Sequence, residues 1–181
     1  VLARSLSIIG HPAVVMPLAA TWLAMSGDAS MATRQMVFAI TGGLAALVVV
    51  YTLFMVRAGR WAHVDASHAA ERRTLNGVLL AILFGSALLL WQLGEAPALR
   101  IGLSLTGALV LLGHLLRRWL KLSLHVACAV LAAVLLWPQA LPVGCGLLLA
   151  AGVAWSRLEL ARHTTIDVIA GSLAGLMAGA A

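Results

Sequence analysis

Ser156 and Arg157 are followed, after five intervening residues, by His163, and after three more by Asp167. His163 and Asp167 stand at i and i+4, which puts them on one face of a helix that has started by His163. A carboxylate so placed can hold one imidazole nitrogen and leave the other free as a nucleophile. Arg157 brings a permanent forked cation for phosphate oxygens. A helix N-terminus near His163 adds backbone N–H groups that favour an anion. A second group is Lys121, Ser123 and His125. An ammonium and a hydroxyl can bind phosphoryl oxygens, and a second imidazole can protonate a leaving alkoxide. A third is Glu71-Arg72-Arg73, in a segment that also holds Asp65.

These polar residues interrupt an otherwise apolar chain. Its 181 residues are 62% hydrophobic and 10% charged, with a mean hydropathy of +1.03. A soluble domain carries about 25% charged residues, so lipid is the implied solvent. Seven apolar runs are visible, at 6–25, 36–57, 75–94, 98–116, 122–137, 140–156 and 164–181. The fifth and sixth are short and are split by Trp137-Pro138. None alternates polar and apolar residues as a barrel strand would. Backbone satisfaction in lipid then predicts an all-α, polytopic transmembrane bundle of six to seven helices, forming one domain over 1–181. Trp61, Trp91, Trp119, Trp137 and Trp155 lie near run ends and read as an aromatic belt. Cys128 and Cys145 read as small buried residues.

Three polar loops hold nearly all the chemistry: Arg57 to Arg73, Arg117 to His125, and Ser156 to Asp167. Two runs separate the first from the second, and two more separate the second from the third. An even number returns the chain to the same membrane face, so the three loops converge on one site. Gly171, Gly175 and Gly179 continue the register of His163 and Asp167. Such a small-residue stripe admits a close neighbour, so the face that bears the nucleophile points inward.

On these residues the chain resembles the type 2 phosphatidic acid phosphatase family, which shares its fold with vanadium haloperoxidases and glucose-6-phosphatase. The family's third motif, Ser-Arg-x5-His-x3-Asp, is matched in full by Ser156, Arg157, His163 and Asp167. Of its second, Pro-Ser-Gly-His, Ser123 and His125 are present, with Leu122 and Leu124 in the other places. Of its first, Lys-x6-Arg-Pro, Arg72 matches the Arg, while Asp65 and Arg73 replace the Lys and Pro. The resemblance implies that His163 attacks phosphorus to form a phosphohistidine and that Asp167 orients it. It further implies that His125 protonates the leaving group and then activates water, and that Arg72, Ser123 and Arg157 hold the phosphoryl oxygens. Ser156 joins the phosphate-binding set through the matched motif. Lys121, two residues before Ser123, is expected to supply the charge of the missing Lys.

The implied activity is hydrolysis of a lipid phosphomonoester or diphosphate, without metal or cofactor. Glu159, His163, His125 and Asp167 hold zinc-ligand chemistry, but two arginines beside them would repel a cation. Transfer of the phosphate from His163 to an alcohol is the enzymic alternative, and a phosphate-binding transporter or scaffold is the non-enzymic one. Expected partners are a lipid phosphate and the bilayer; no nucleic-acid motif is present, and the sequence does not set an oligomeric state. The expected location is a bacterial inner membrane. Ten of the 12 Lys and Arg residues flank the site side, against Arg34 and Arg100 opposite. Setting aside Arg72, Lys121 and Arg157 leaves seven against two, and the positive-inside rule then places the site in the cytoplasm.

Overall fold

The apolar runs form eight α-helices in a computed structural model that describes residues 1–64, 66 and 68–180. They are α1 (Leu2–Ile9), α2 (Pro12–Ser26), α3 (Met31–Arg57), α4 (Ala69–Leu93), α5 (Pro97–Leu116), α6 (Leu124–Leu135), α7 (Ala140–Glu159) and α8 (Thr165–Gly179). Among the described residues there is no strand. Helices α3, α4, α5 and α7 are each long and apolar enough to cross a membrane, and α1 with α2 makes a fifth span if the bent pair is counted as one. Large apolar side chains point outward, among them Phe38, Phe54, Leu88, Leu148, Leu173 and Met177. A contiguous surface of this kind suits acyl chains rather than water. The chain is a multi-pass membrane protein.

The helices depart from the predicted runs in three places. The run at 6–25 is broken, with α1 and α2 bent by 50°. Pro12 has no N–H and its ring crowds the carbonyl four residues back, which favours a break here, although Pro17 is accommodated inside α2. The Nδ1 of His11 accepts from the N–H of Ala13 at 3.1 Å and caps α2. The run at 75–94 extends backwards to Ala69, so Glu71, Arg72 and Arg73 lie in the first turn of α4 rather than in a loop. Glu71 makes this possible by accepting from the N–H groups of Ala62 (2.9 Å) and His68 (3.1 Å). Finally, α6 and α8 have only 12 and 15 residues, or about 18 and 22 Å of rise.

Helix α6 is short because it is central. Every residue from Val126 to Ala133 is buried, and α2, α5, α7 and α8 pack around it. A helix apolar on all sides belongs in a core. The predicted glycine stripe is what brings α8 onto it. A Cβ at Gly171 would come 2.7 Å from the carbonyl oxygen of Ser123, one at Gly175 would overlap the carbonyl of Ala127, and one at Gly179 would meet Val134 at 2.7 Å. The backbones are thus in contact along one seam, and its upper end carries the candidate chemistry. Two expectations fail. Trp61 is buried against Tyr51, Met55 and Ala66 instead of joining an aromatic belt. Cys145 is exposed on α7, although Cys128 is buried as expected.

Candidate functional site

Helix α7 ends in a Schellman turn. The N–H of Ala161 donates to the carbonyl of Leu158 (2.9 Å), and that of Arg162 donates to the carbonyl of Arg157 (3.0 Å). The turn needs a left-handed residue, and Ala161 fills that position at φ 49°, where glycine is usual. The chain then reverses at once, which sets His163 beside Arg157. Helix α8 begins two residues later with a reciprocal cap. The Thr164 hydroxyl accepts from the Asp167 N–H (3.3 Å), and Asp167 Oδ2 accepts from the Thr164 N–H (2.9 Å). This is the capping-box geometry.

His163 therefore precedes the helix, yet its ring still lies beside the Asp167 carboxylate as the i, i+4 spacing predicted, without a direct hydrogen bond. Asp167 Oδ2 lies 3.7 Å from His163 Nδ1, beyond hydrogen-bond reach. The group within reach is the backbone carbonyl of Lys121, at 3.0 Å. A carbonyl can only accept, so Nδ1 carries the proton and the lone pair stays on Nε2. Asp167 acts one step away. Its Oδ1 accepts from the Lys121 N–H (3.1 Å) and its backbone carbonyl accepts from the Ser123 N–H (3.2 Å). The carboxylate thus holds the loop that holds the imidazole.

The electrostatics favour an anion. The His163 side chain is 8% exposed. Burial, then the cations of Arg157 and Lys121, push its imidazole down to about 4, so it is neutral at physiological pH. The Lys121 ammonium is held below its ordinary value, first by burial and next by Arg72. It donates to the carbonyl of Arg162 at 2.7 Å. Arg157 is buried on α7, and one guanidinium nitrogen donates to the Ser7 hydroxyl of α1 at 2.8 Å.

The other predicted residues divide. Ser123 and His125 lie at the start of α6, and Ser123 Oγ and His125 Nε2 are buried without a hydrogen-bond partner among the described residues. His125 lines the cleft, whereas Ser123 is fully buried just behind it. Ser156 is not presented this way: it is fully buried, and its hydroxyl donates to the Val153 carbonyl of its own helix at 2.7 Å. Arg72 joins the site from α4, where its charge acts on Lys121. Asp65 lies outside the described residues. Among the described residues no three metal-ligating side chains gather, so the set of Glu159, His163, His125 and Asp167 does not form.

A cleft of about 1820 Å³ opens from this cluster. Arg72, Lys121, His125, Arg157 and His163 line it together with other polar residues such as Arg73 and Asn76, and apolar residues of α2, α3, α4 and α5, such as Val48, Leu79 and Leu103, line most of the rest. Threonines on these walls do not make them polar. Thr41, Thr52 and Thr106 donate to carbonyls of their own helices at 2.8, 3.0 and 2.7 Å.

No protein-family model, curated protein or solved structure matches the chain.

Three contributors escaped the motif reading. Ser7 reaches Arg157, His11 stacks edge-on against His125 with ring centroids 4.9 Å apart, and Lys121 acts through its carbonyl. His11 left one signal, as an ionisable residue inside an apolar run. A serine in a helix and a backbone carbonyl left none.

Proposed function

We propose that this chain is an integral-membrane lipid phosphatase of the type 2 phosphatidic acid phosphatase kind. The observation that carries this reading is the neutral His163, fixed through Nδ1 by the Lys121 carbonyl and set beside Arg157 in a largely apolar cleft. Such a cleft suits an amphiphile with an anionic head. Nε2 of His163 attacks phosphorus, the P–O bond to the lipid breaks, and His125 gives its proton to the departing alkoxide. Neutral His125 then takes a proton from water, which attacks phosphorus, breaks the P–N bond and releases phosphate. Arg72, Arg157, Ser123 and Lys121 carry the phosphoryl charge through both steps.

In this reading α6 and α8 also cross the membrane. With α1–α2 counted as one span, the total is seven, and the ends of the short helices are shielded by their neighbours. The excess of Lys and Arg supports a cytoplasm-facing site, in what we read as a bacterial inner membrane.

The test is a panel of lipid phosphates and diphosphates, offered to detergent-purified protein, with detection of phosphohistidine at position 163. Turnover with the phosphohistidine supports the reading. Transfer to an added alcohol in preference to water would make the chain a phosphotransferase. Tight phosphate binding without the covalent species would make it a transporter or scaffold.

A further inference from the structure

We infer that the broken helix pair α1–α2 is part of the catalytic apparatus, with His11 positioning His125 and Ser7 positioning Arg157. This deepens the phosphatase reading and rests on it. The matched motif residues all lie C-terminal to residue 71, so nothing in them requires the first 26 residues.

The break is fixed from both sides. On one side a new helix starts at Pro12, whose missing N–H is not needed at a first helical position, with His11 as its cap. On the other side, a Cβ at Gly10 would overlap the Val153 side chain of α7, so α1 lies directly on the helix that carries Arg157. Ser7, one turn before the break, then reaches the Arg157 guanidinium at 2.8 Å, with both residues buried. His11, at the break itself, presents its ring at 90° to the His125 ring.

An unbroken helix from Leu2 to Ser26 would not place these two side chains at the site in this way. The bend is what allows residues four apart to serve α7 and α6 separately. For His125 the contact has a particular value. A general acid must hold its ring within a small angle of the leaving oxygen. His125 Nε2 has no hydrogen-bond partner among the described residues to fix it. Edge-to-face packing against His11 fixes the plane of the ring and leaves that nitrogen open.

His11 also caps α2, so its two roles must be separated. Asparagine and serine are both good N-caps. His11→Asn and His11→Ser therefore keep the cap and remove the ring. In the full chain, both are expected to melt near the wild-type temperature. Their kcat should fall about tenfold or more with KM within about twofold, as expected for loss of orientation alone. In histidine-selective ¹⁵N NMR the His125 ring signals should move while those of His163 stay. Ser7→Ala should instead raise KM and the vanadate inhibition constant, about tenfold, as for a weakened charged contact. Wild-type kcat and KM in all three variants, with unmoved His125 signals, would overturn the proposal and leave the break a purely structural feature. A wild-type protein that turns over no lipid phosphate would overturn the phosphatase reading instead. The His125 signals of His11→Asn would then still decide whether His11 sets that ring.

Discussion

The backbone carbonyl of Lys121 lies 3.0 Å from Nδ1 of His163. Two loops that are 42 residues apart in sequence thus meet at the atom that fixes the tautomer of the candidate nucleophile.

His163→Ala should abolish turnover and phosphohistidine formation. Asp167→Asn should keep measurable turnover, because the Lys121 carbonyl still holds the ring. An amide has one acceptor oxygen where the carboxylate has two, so it loses either the Thr164 or the Lys121 N–H. The melting temperature should fall together with kcat. Comparing kcat and melting of the two variants checks this, and equal loss of turnover in both would refute the indirect role of Asp167.

The acid limb that His163 contributes to the first chemical step should lie well below neutrality. The folded imidazole of His163 sits at about 4, against 6.5 for the free group. Nε2 therefore stays unprotonated until the pH approaches 5. Replacing Lys121 by Met removes one of the cations that lower it, so the acid limb should move to higher pH. Stability follows the same group: between 6.5 and about 4 the unfolded chain binds the proton and the folded chain does not. His163 therefore destabilises the fold progressively as pH falls through that window. Single-turnover phosphorylation against pH, with wild type and Lys121→Met, reads the limb directly.

Ala161→Gly should raise the melting temperature. The alanine holds a left-handed conformation at φ 49°, which costs a residue bearing a Cβ about 1–2 kcal/mol. Glycine removes that strain and keeps both hydrogen bonds of the turn. Thermal unfolding in detergent measures the gain.

Activity should survive EDTA and be inhibited by vanadate. The side chains around His163 are cationic or neutral, apart from Asp167, whose oxygens are engaged by backbone N–H groups. Vanadate adopts the five-coordinate geometry of the transferring phosphorus, and such mimics bind tightly. Loss of turnover in EDTA that is reversed by zinc or magnesium would refute the mechanism.

The site should face the cytoplasm. Ala62 is exposed in the segment between α3 and α4. Ala62→Cys, in a background without Cys128 and Cys145, should react with a membrane-impermeant maleimide only after lysis. Labelling of intact cells would place the site outside.

Much of this arrangement was legible in the residues. Loop convergence was expected from the parity of the apolar runs, and Lys121 does meet Asp167 and His163, which joins the second and third loops. The α6–α8 seam followed from Gly171, Gly175 and Gly179, because only small residues allow backbones to touch. What stayed hidden had physical reasons. The start of α4 at Ala69 depends on Glu71 reaching back to Ala62 and His68, and a carboxylate in a charged stretch looks the same whether it caps or binds. The Asp167 spacing suggested a direct pair with His163. The chain gave Asp167 to the Thr164 cap instead, since a first-turn carboxylate has unsatisfied N–H groups closest to it. Ser7 and His11 gain their meaning only from contacts more than 100 residues away.

The seam between α6 and α8 also bears on how the protein comes into being. During synthesis α6 is made while α8 is still unmade, so the carbonyls of Ser123 and Ala127 wait for glycines that do not yet exist. The Lys121 and Ser123 N–H groups wait in the same way for Asp167. On the proposed function, reactivity therefore would not accumulate helix by helix. It would arrive when α8 docks, and a ribosome-bound intermediate that ends before Asp167 would hold most of its spans but not the assembled site.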